Sequence, residues 1–125
     1  MRREEVATFA AQWAAAWNRA DVEAVLAHFH DDIVFTSPTA LAVAGTATVH
    51  GKPALRAYWR AALAGIGTLH FTVDRVLWDP ASRELAIIYV SRVDGRVRRM
   101  SENLRFGEDG LIIAAEVFHG VAGED

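Results

Sequence analysis

The sequence contains no cysteine, which excludes disulfides, thiolate zinc sites and a cysteine nucleophile. It also lacks an excess of positive charge. The formal net charge is -3 at pH 7, so there is no basic field to hold nucleic acid or an anionic lipid surface. Arg, Asp or Gly interrupts every apolar stretch before it reaches membrane-spanning length. The opening MRREEVATF has no sustained apolar core behind its basic residues, so a cytoplasmic protein is expected rather than one with a secretory signal. No glycine-rich loop follows a strand-like run, so no nucleotide cofactor is indicated and none is expected.

What is present is the composition of a compact domain. The chain has 125 residues, 52% of them hydrophobic and 23% charged, which fits a single domain spanning 1–125. From Glu4 to Asn18, Val6, Phe9, Trp13 and Trp17 recur at three- or four-residue spacing and predict one amphipathic helix. Asp21 is a good N-cap for a short second helix that buries Val22, Val25, Leu26 and Phe29 and ends at Asp31-Asp32. A strand begins at Ile33 and closes at Pro38. Residues 39–51 have little period and read as a loop or weak strand. Pro53 suits the first position of a third helix, with Leu55, Trp59, Ala62 and Leu63 inward and Gly65 and Gly67 stopping it.

The second half reads as a meander of strands at 69–78, 84–93, 96–106 and 111–119, joined by turn-forming segments. Helices first and an antiparallel run second predict an α+β domain with helices on one sheet face. A two-residue turn at Asp94-Gly95 pairs Val93 with Arg96 and sets Ile87 beside Glu102. A four-residue turn after Phe106 pairs it with Leu111 and sets Ala115 on the other side of Glu102. The expected inner rows are then Leu85–Leu104–Ile113, Ile87–Glu102–Ala115, Tyr89–Met100–Val117 and Ser91–Arg98–His119.

Glu102 is the anomaly. It falls on the face shared by Met100, Leu104 and Phe106, where the alternation asks for an apolar side chain. With Ile87 and the small Ala115 as neighbours, desolvation would favour its neutral acid, a donor aimed into a cavity. The alternatives are a buried ion pair with Arg56 or Arg60, or a bulge that turns it outward. Arg98 and His119 share a row near the hairpin end and form either a polar rim or a solvated sheet edge. His119 is four residues from Ala115, roughly 13 Å along the strand, which argues against a hydrogen-bonded pair with Glu102. Trp13, Trp17, Phe35, Trp59 and Tyr89 line a cavity or fill a core, and both readings stay open. His28, His30, Asp31 and Asp32 are close in sequence, but their directions on a helix differ and no metal is expected. His50 and His70 have no ligand-like spacing.

The segments WNRADVEAVLAHFHDDIVFTSP, GKPALRAYWRAAL and GLIIAAEVFHG resemble the SnoaL-like and ketosteroid-isomerase-like branch of the nuclear transport factor 2-like superfamily. The resemblance covers nearly the whole chain. It implies a cystatin-like α+β barrel: a curved antiparallel sheet wrapped by three helices around a conical pocket. Against the ketosteroid isomerase pattern, the general-base aspartate is replaced by Ser37, and the two tyrosines by Trp13 and Trp59. Glu102 stands where the protonated carboxylic acid would be. The resemblance therefore implies a protein that is not a steroid isomerase.

Two functions follow. One is cofactor-free proton transfer on an apolar carbonyl compound, of isomerase, cyclase or dehydratase type. Glu102 would act as the acid, in a pocket that also includes Ser37, Met100, Ala115, Arg98 and His119. The other is a non-catalytic binding or dimerisation module of the same fold. Ala86, Ile88, Val90, Trp78, Ile112, Ala114 and Phe118 are expected on the outer sheet face, enough apolar surface to suggest a homodimer.

Overall fold

A computed structural model describes residues 1–122. The first helix, α1 (Arg3–Asn18), forms as its period requires and buries Val6, Phe9, Trp13 and Trp17. Helix α2 (Val22–Leu26) is capped by Asp21, whose side chain accepts from the Ala24 amide. It is shorter than expected. Strand β1 (Phe29–Thr36) already contains Asp31 and Asp32, both exposed, so the two acids do not end a helix. Phe29, Ile33 and Phe35 point into the core as strand alternation requires, and the register shift between Phe29 and Val34 spans Asp31, which shares their parity yet is exposed.

Residues 39–51 are more ordered than a loop. Ser37 caps α3 (Pro38–Ala44) by accepting from the Thr39 amide, and Pro38 opens it. Gly45 closes it at φ 78, a left-handed conformation that suits glycine. Strand β2 (Thr48–His50) then pairs with β1. Helix α4 (Lys52–Ala64) starts at Lys52, one residue before Pro53, and buries Leu55, Tyr58 and Trp59. The helices therefore number four among the described residues, where three were expected.

The four long strands are β3 (Leu69–Asp79), β4 (Glu84–Val93), β5 (Arg96–Phe106) and β6 (Ile112–Ala122). They join β1 and β2 in one curved, open sheet of order β2-β1-β6-β5-β4-β3. The pairing is antiparallel except between β1 and β6, which run parallel. The sheet does not close into a barrel. The helices pack on its concave face over a single buried cluster that includes Leu26, Phe29, Leu55, Leu85, Ile87 and Leu104. No helix among the described residues is long and apolar enough to cross a membrane.

The β4–β5 register is as the turn predicted, with Ile87 opposite Glu102 and Val93 opposite Arg96. Asp94 and Gly95 both adopt positive φ, 50 and 82, the geometry of a twisted two-residue hairpin turn. The β5–β6 register is not. Phe106 pairs with Ile112 rather than Leu111, and a bulge follows before Arg105 pairs with Ala114. Together these slide β6 by two residues, so the rows become Leu104–Ala115, Glu102–Val117 and Met100–His119.

Two expected outer-face residues also move inward. Ile112 is fully buried. A register shift between Val73 and Arg75 reverses the alternation of β3, so Trp78 sits opposite inward Leu85 and packs edge-on against Phe106 at 6.0 Å. Leu77 takes the outer face instead.

Candidate functional site

The concave face of the sheet and helices α1, α3 and α4 enclose a cavity of about 880 Å³, within the range of small-molecule sites. Its inner wall is aromatic. Trp17 meets Trp59 edge-on at 4.9 Å, Trp59 meets Phe35 at 5.5 Å, and Phe71 lies against Tyr89 at 4.8 Å. Into this wall project Ser37, Tyr58, Tyr89, Ser91, Glu102 and His119.

Glu102 is only 5% exposed. Its cross-strand neighbours are Ile87 and Val117. Arg56 and Arg60 do not reach it, because both are held by Glu23, at 2.8 and 2.9 Å. With no cation to stabilise the anion, burial alone pushes the Glu102 carboxyl up to about 8. The group is a neutral acid at pH 7.

Two phenols stand around it. Burial pushes Tyr58 up to about 12, against the lowering effect of a hydrogen bond with the Ser37 side chain, and the Glu102 charge adds to the rise. Tyr89 is also raised well above its ordinary value, by burial first and then by Glu102 and Tyr58. Both therefore remain hydrogen-bond donors across the physiological range.

The shifted register of β6 places His119 opposite Met100. It is then a diagonal neighbour of Glu102 on the inner face, a separation of about 7–8 Å between Cα atoms. That is much closer than the 13 Å reading, and His119 lines the same cavity as Glu102. Burial first, then the Arg98 charge, lowers its pKa, so the imidazole is held neutral. Thr39 Oγ1 lies 3.5 Å from its Nε2.

Of the residues expected in the pocket, Trp17, Phe35, Ser37, Trp59, Tyr89, Met100, Arg98 and His119 line the cavity together with Glu102. Trp13 and Ala115 do not. Trp13 packs behind the wall, against Tyr89 at 5.0 Å and Phe71 at 5.5 Å. Ala115 sits one row deeper than expected, between Leu104 and Phe35, because β6 has slid. His28 is away from the cavity, edge-on to Phe9 at 5.0 Å. Tyr58 and Thr39 were missed. Tyr58 was legible: it continues the α4 stripe from Leu55 at a spacing of three.

The SnoaL-like domain model matches residues 10–115. No curated protein matches the chain. Among solved structures, the chain is similar to a SnoaL-like protein of unknown function from Burkholderia thailandensis E264, with 31% identity over 96% of this chain and 98% of that one and a TM-score of 0.82. It is also similar to a protein of unknown function with a cystatin-like fold from Methylobium petroleophilum PM1, at 22% identity over 100% and 82% of the two chains, with a TM-score of 0.76. BvnE pinacolase from Penicillium brevicompactum shares 19% identity over 94% and 84%, with a TM-score of 0.75. The last two likenesses concern the fold alone.

Proposed function

The chain belongs to the SnoaL-like family, and from that premise we propose that it is a cofactor-independent enzyme that moves protons on an apolar carbonyl compound. The observation that carries this reading is the pairing of Glu102 and His119 across one cavity, with their pKa values pushed in opposite directions. Such a separation assigns an acid and a base. Glu102 donates a hydrogen bond to the carbonyl oxygen, helped by the nearby phenols of Tyr58 and Tyr89. His119 takes a proton from the adjacent carbon, the C–H electron pair forms a C=C bond as the carbonyl π pair moves onto oxygen, and the resulting enolate oxygen is held by the hydrogen bond from Glu102. In a β,γ-unsaturated carbonyl compound the enolate is a dienolate, and return of the proton from His119 to its γ-carbon, with the double bond moving into conjugation, completes an isomerisation. Ser37 is no base: its oxygen caps α3 and meets Tyr58.

A ketone probe such as 2-decanone in deuterated water tests this, with exchange of its α-protons followed by NMR. The expected rate profile is a bell. The acid limb lies below 6.5, where His119 gains its proton, and the alkaline limb lies near 8, where Glu102 loses its own. Glu102→Gln and His119→Gln should each slow exchange by about 10²-fold or more. Exchange no faster than buffer, or indifferent to both substitutions, would refute the reading. Binding of the ketone without exchange would favour a second one, a non-catalytic pocket. That reading draws on the serine at position 37, where the ketosteroid isomerase pattern has its base.

A further inference from the structure

The cavity has a polarity along its length. Its interior is aromatic and aliphatic, and Glu102 is the only carboxylic acid among its described lining residues. At neutral pH that acid carries no charge. The permanent charges are at the mouth, where Arg98 and Arg96 of β5 line the cavity.

These two cations are not equivalent. Arg96 lies beside Asp94, whose carboxyl is lowered by its bonds to the Thr68 and Gly67 amides and also by the Arg96 charge. Asp94 therefore offsets Arg96 in part. Arg98 differs. The ion pairs among the described residues engage Arg2, Arg19, Arg56, Arg60, Arg75 and Arg99, and Arg98 takes part in none of them. Its Nη1 donates instead to the Gly120 carbonyl at 3.3 Å, which draws the guanidinium across β6 toward His119. Its field also reaches the His119 ring.

The strand supplies a ruler. Glu102 and Met100 share the inner face of β5, and Arg98, two residues further on and exposed, lines the cavity at its rim. Four residues of strand separate Glu102 from Arg98, a distance of about 13 Å. We infer that the ligand is an amphipathic acid. Its apolar body fills the aromatic interior, and its carboxylate binds Arg98 at the mouth, about 13 Å from the group that reaches Glu102. Where the carbonyl sits rests on the proton-transfer reading above; the anionic end does not. A charge-assisted bond from a guanidinium to a carboxylate is stronger than one to a neutral ester, although at an exposed arginine the gain is modest and falls with salt. The two arginines also favour approach of an anion over a cation.

Decanoate and methyl decanoate share an apolar body and differ in charge, so they serve as probes. Binding to the full chain at pH 7 and low salt is followed by the fluorescence of Trp17 and Trp59, which line the cavity. Decanoate should bind about tenfold more tightly than its ester. Raising the salt should narrow that preference, and Arg98→Gln should abolish it. Equal affinity for acid and ester overturns the inference. So does a preference that survives Arg98→Gln, or no saturable binding of either probe. Loss of α-proton exchange with the acid preference intact would count against the proton-transfer reading alone.

Discussion

Replacing Glu102 by Gln removes a titration and little volume, so its effect on stability should depend on pH in a calculable way. In the folded chain the carboxyl is raised from 4.5 to about 8. Between those two values the native state holds a proton that the unfolded state has lost. The unfolded state then binds fewer protons, so stability falls as pH rises, by about 1.4 kcal/mol per pH unit for one group. This contribution is fully present below 4.5 and is lost by about 8. The Gln variant has no such slope. From pH 5 to pH 7 its stability relative to the parent should therefore improve by about 3 kcal/mol. His119 and His28, both lowered by burial, act in the opposite sense, with stability lost as pH falls below 6.5. They are common to both proteins and cancel in the difference. Urea unfolding at each pH, followed by tryptophan fluorescence, gives the two curves. A difference that stays flat with pH would mean that Glu102 has an ordinary pKa. A difference that runs the other way below pH 4.5, with none between pH 5 and pH 7, would mean that a cation holds it ionised. Either result refutes the reasoning.

The glycine after His119 should also be sensitive, since a Cβ at Gly120 would lie 2.8 Å from the Arg99 carbonyl oxygen, beside a register shift in β5–β6. Gly120→Ala is expected to cost about 1–3 kcal/mol by overpacking. It should also raise the His119 pKa toward 6.5 as the ring loses burial, which an NMR titration would report; an unchanged melt and titration would contradict this. On the outer sheet face, Ile88, Val90, Phe118 and the strongly exposed Leu77 leave apolar surface beside Arg75, Arg99 and Glu116. A two-fold pair through that face predicts a light-scattering mass about twice the 13.7 kDa of the chain, and a clean monomer would count against it.

The parts of this structure that local rules control were legible in the sequence. The α1 stripe and the Asp94-Gly95 turn each follow from a short stretch of chain, and the turn alone brought Glu102 inward beside Ile87. Other parts depended on long-range packing. A five-residue connection and a bulge before Ala114 slid β6, and no residue type in GEDGL dictates that slide. Its consequence was large, because it carried His119 from a distant row into the neighbourhood of Glu102. The reversal in β3 that turned Trp78 inward has the same origin. Helix α3 escaped notice for a different reason. It buries only Ala40 and so has no amphipathic period, though Ser37-Pro38 and Gly45 mark both of its ends. Tyr58 was overshadowed by Trp59, since adjacent residues on one helix compete for the same inward stripe.

The central claim is that a neutral carboxylic acid sits in the cavity wall at physiological pH. Carbon-13 NMR of glutamate-labelled protein, with Glu102→Gln used to assign the resonance, follows that carboxyl directly through a pH titration. The account predicts one glutamate still protonated at pH 7, with a midpoint near 8. A Glu102 resonance that titrates near 4.5 and is fully ionised at pH 7 would contradict it.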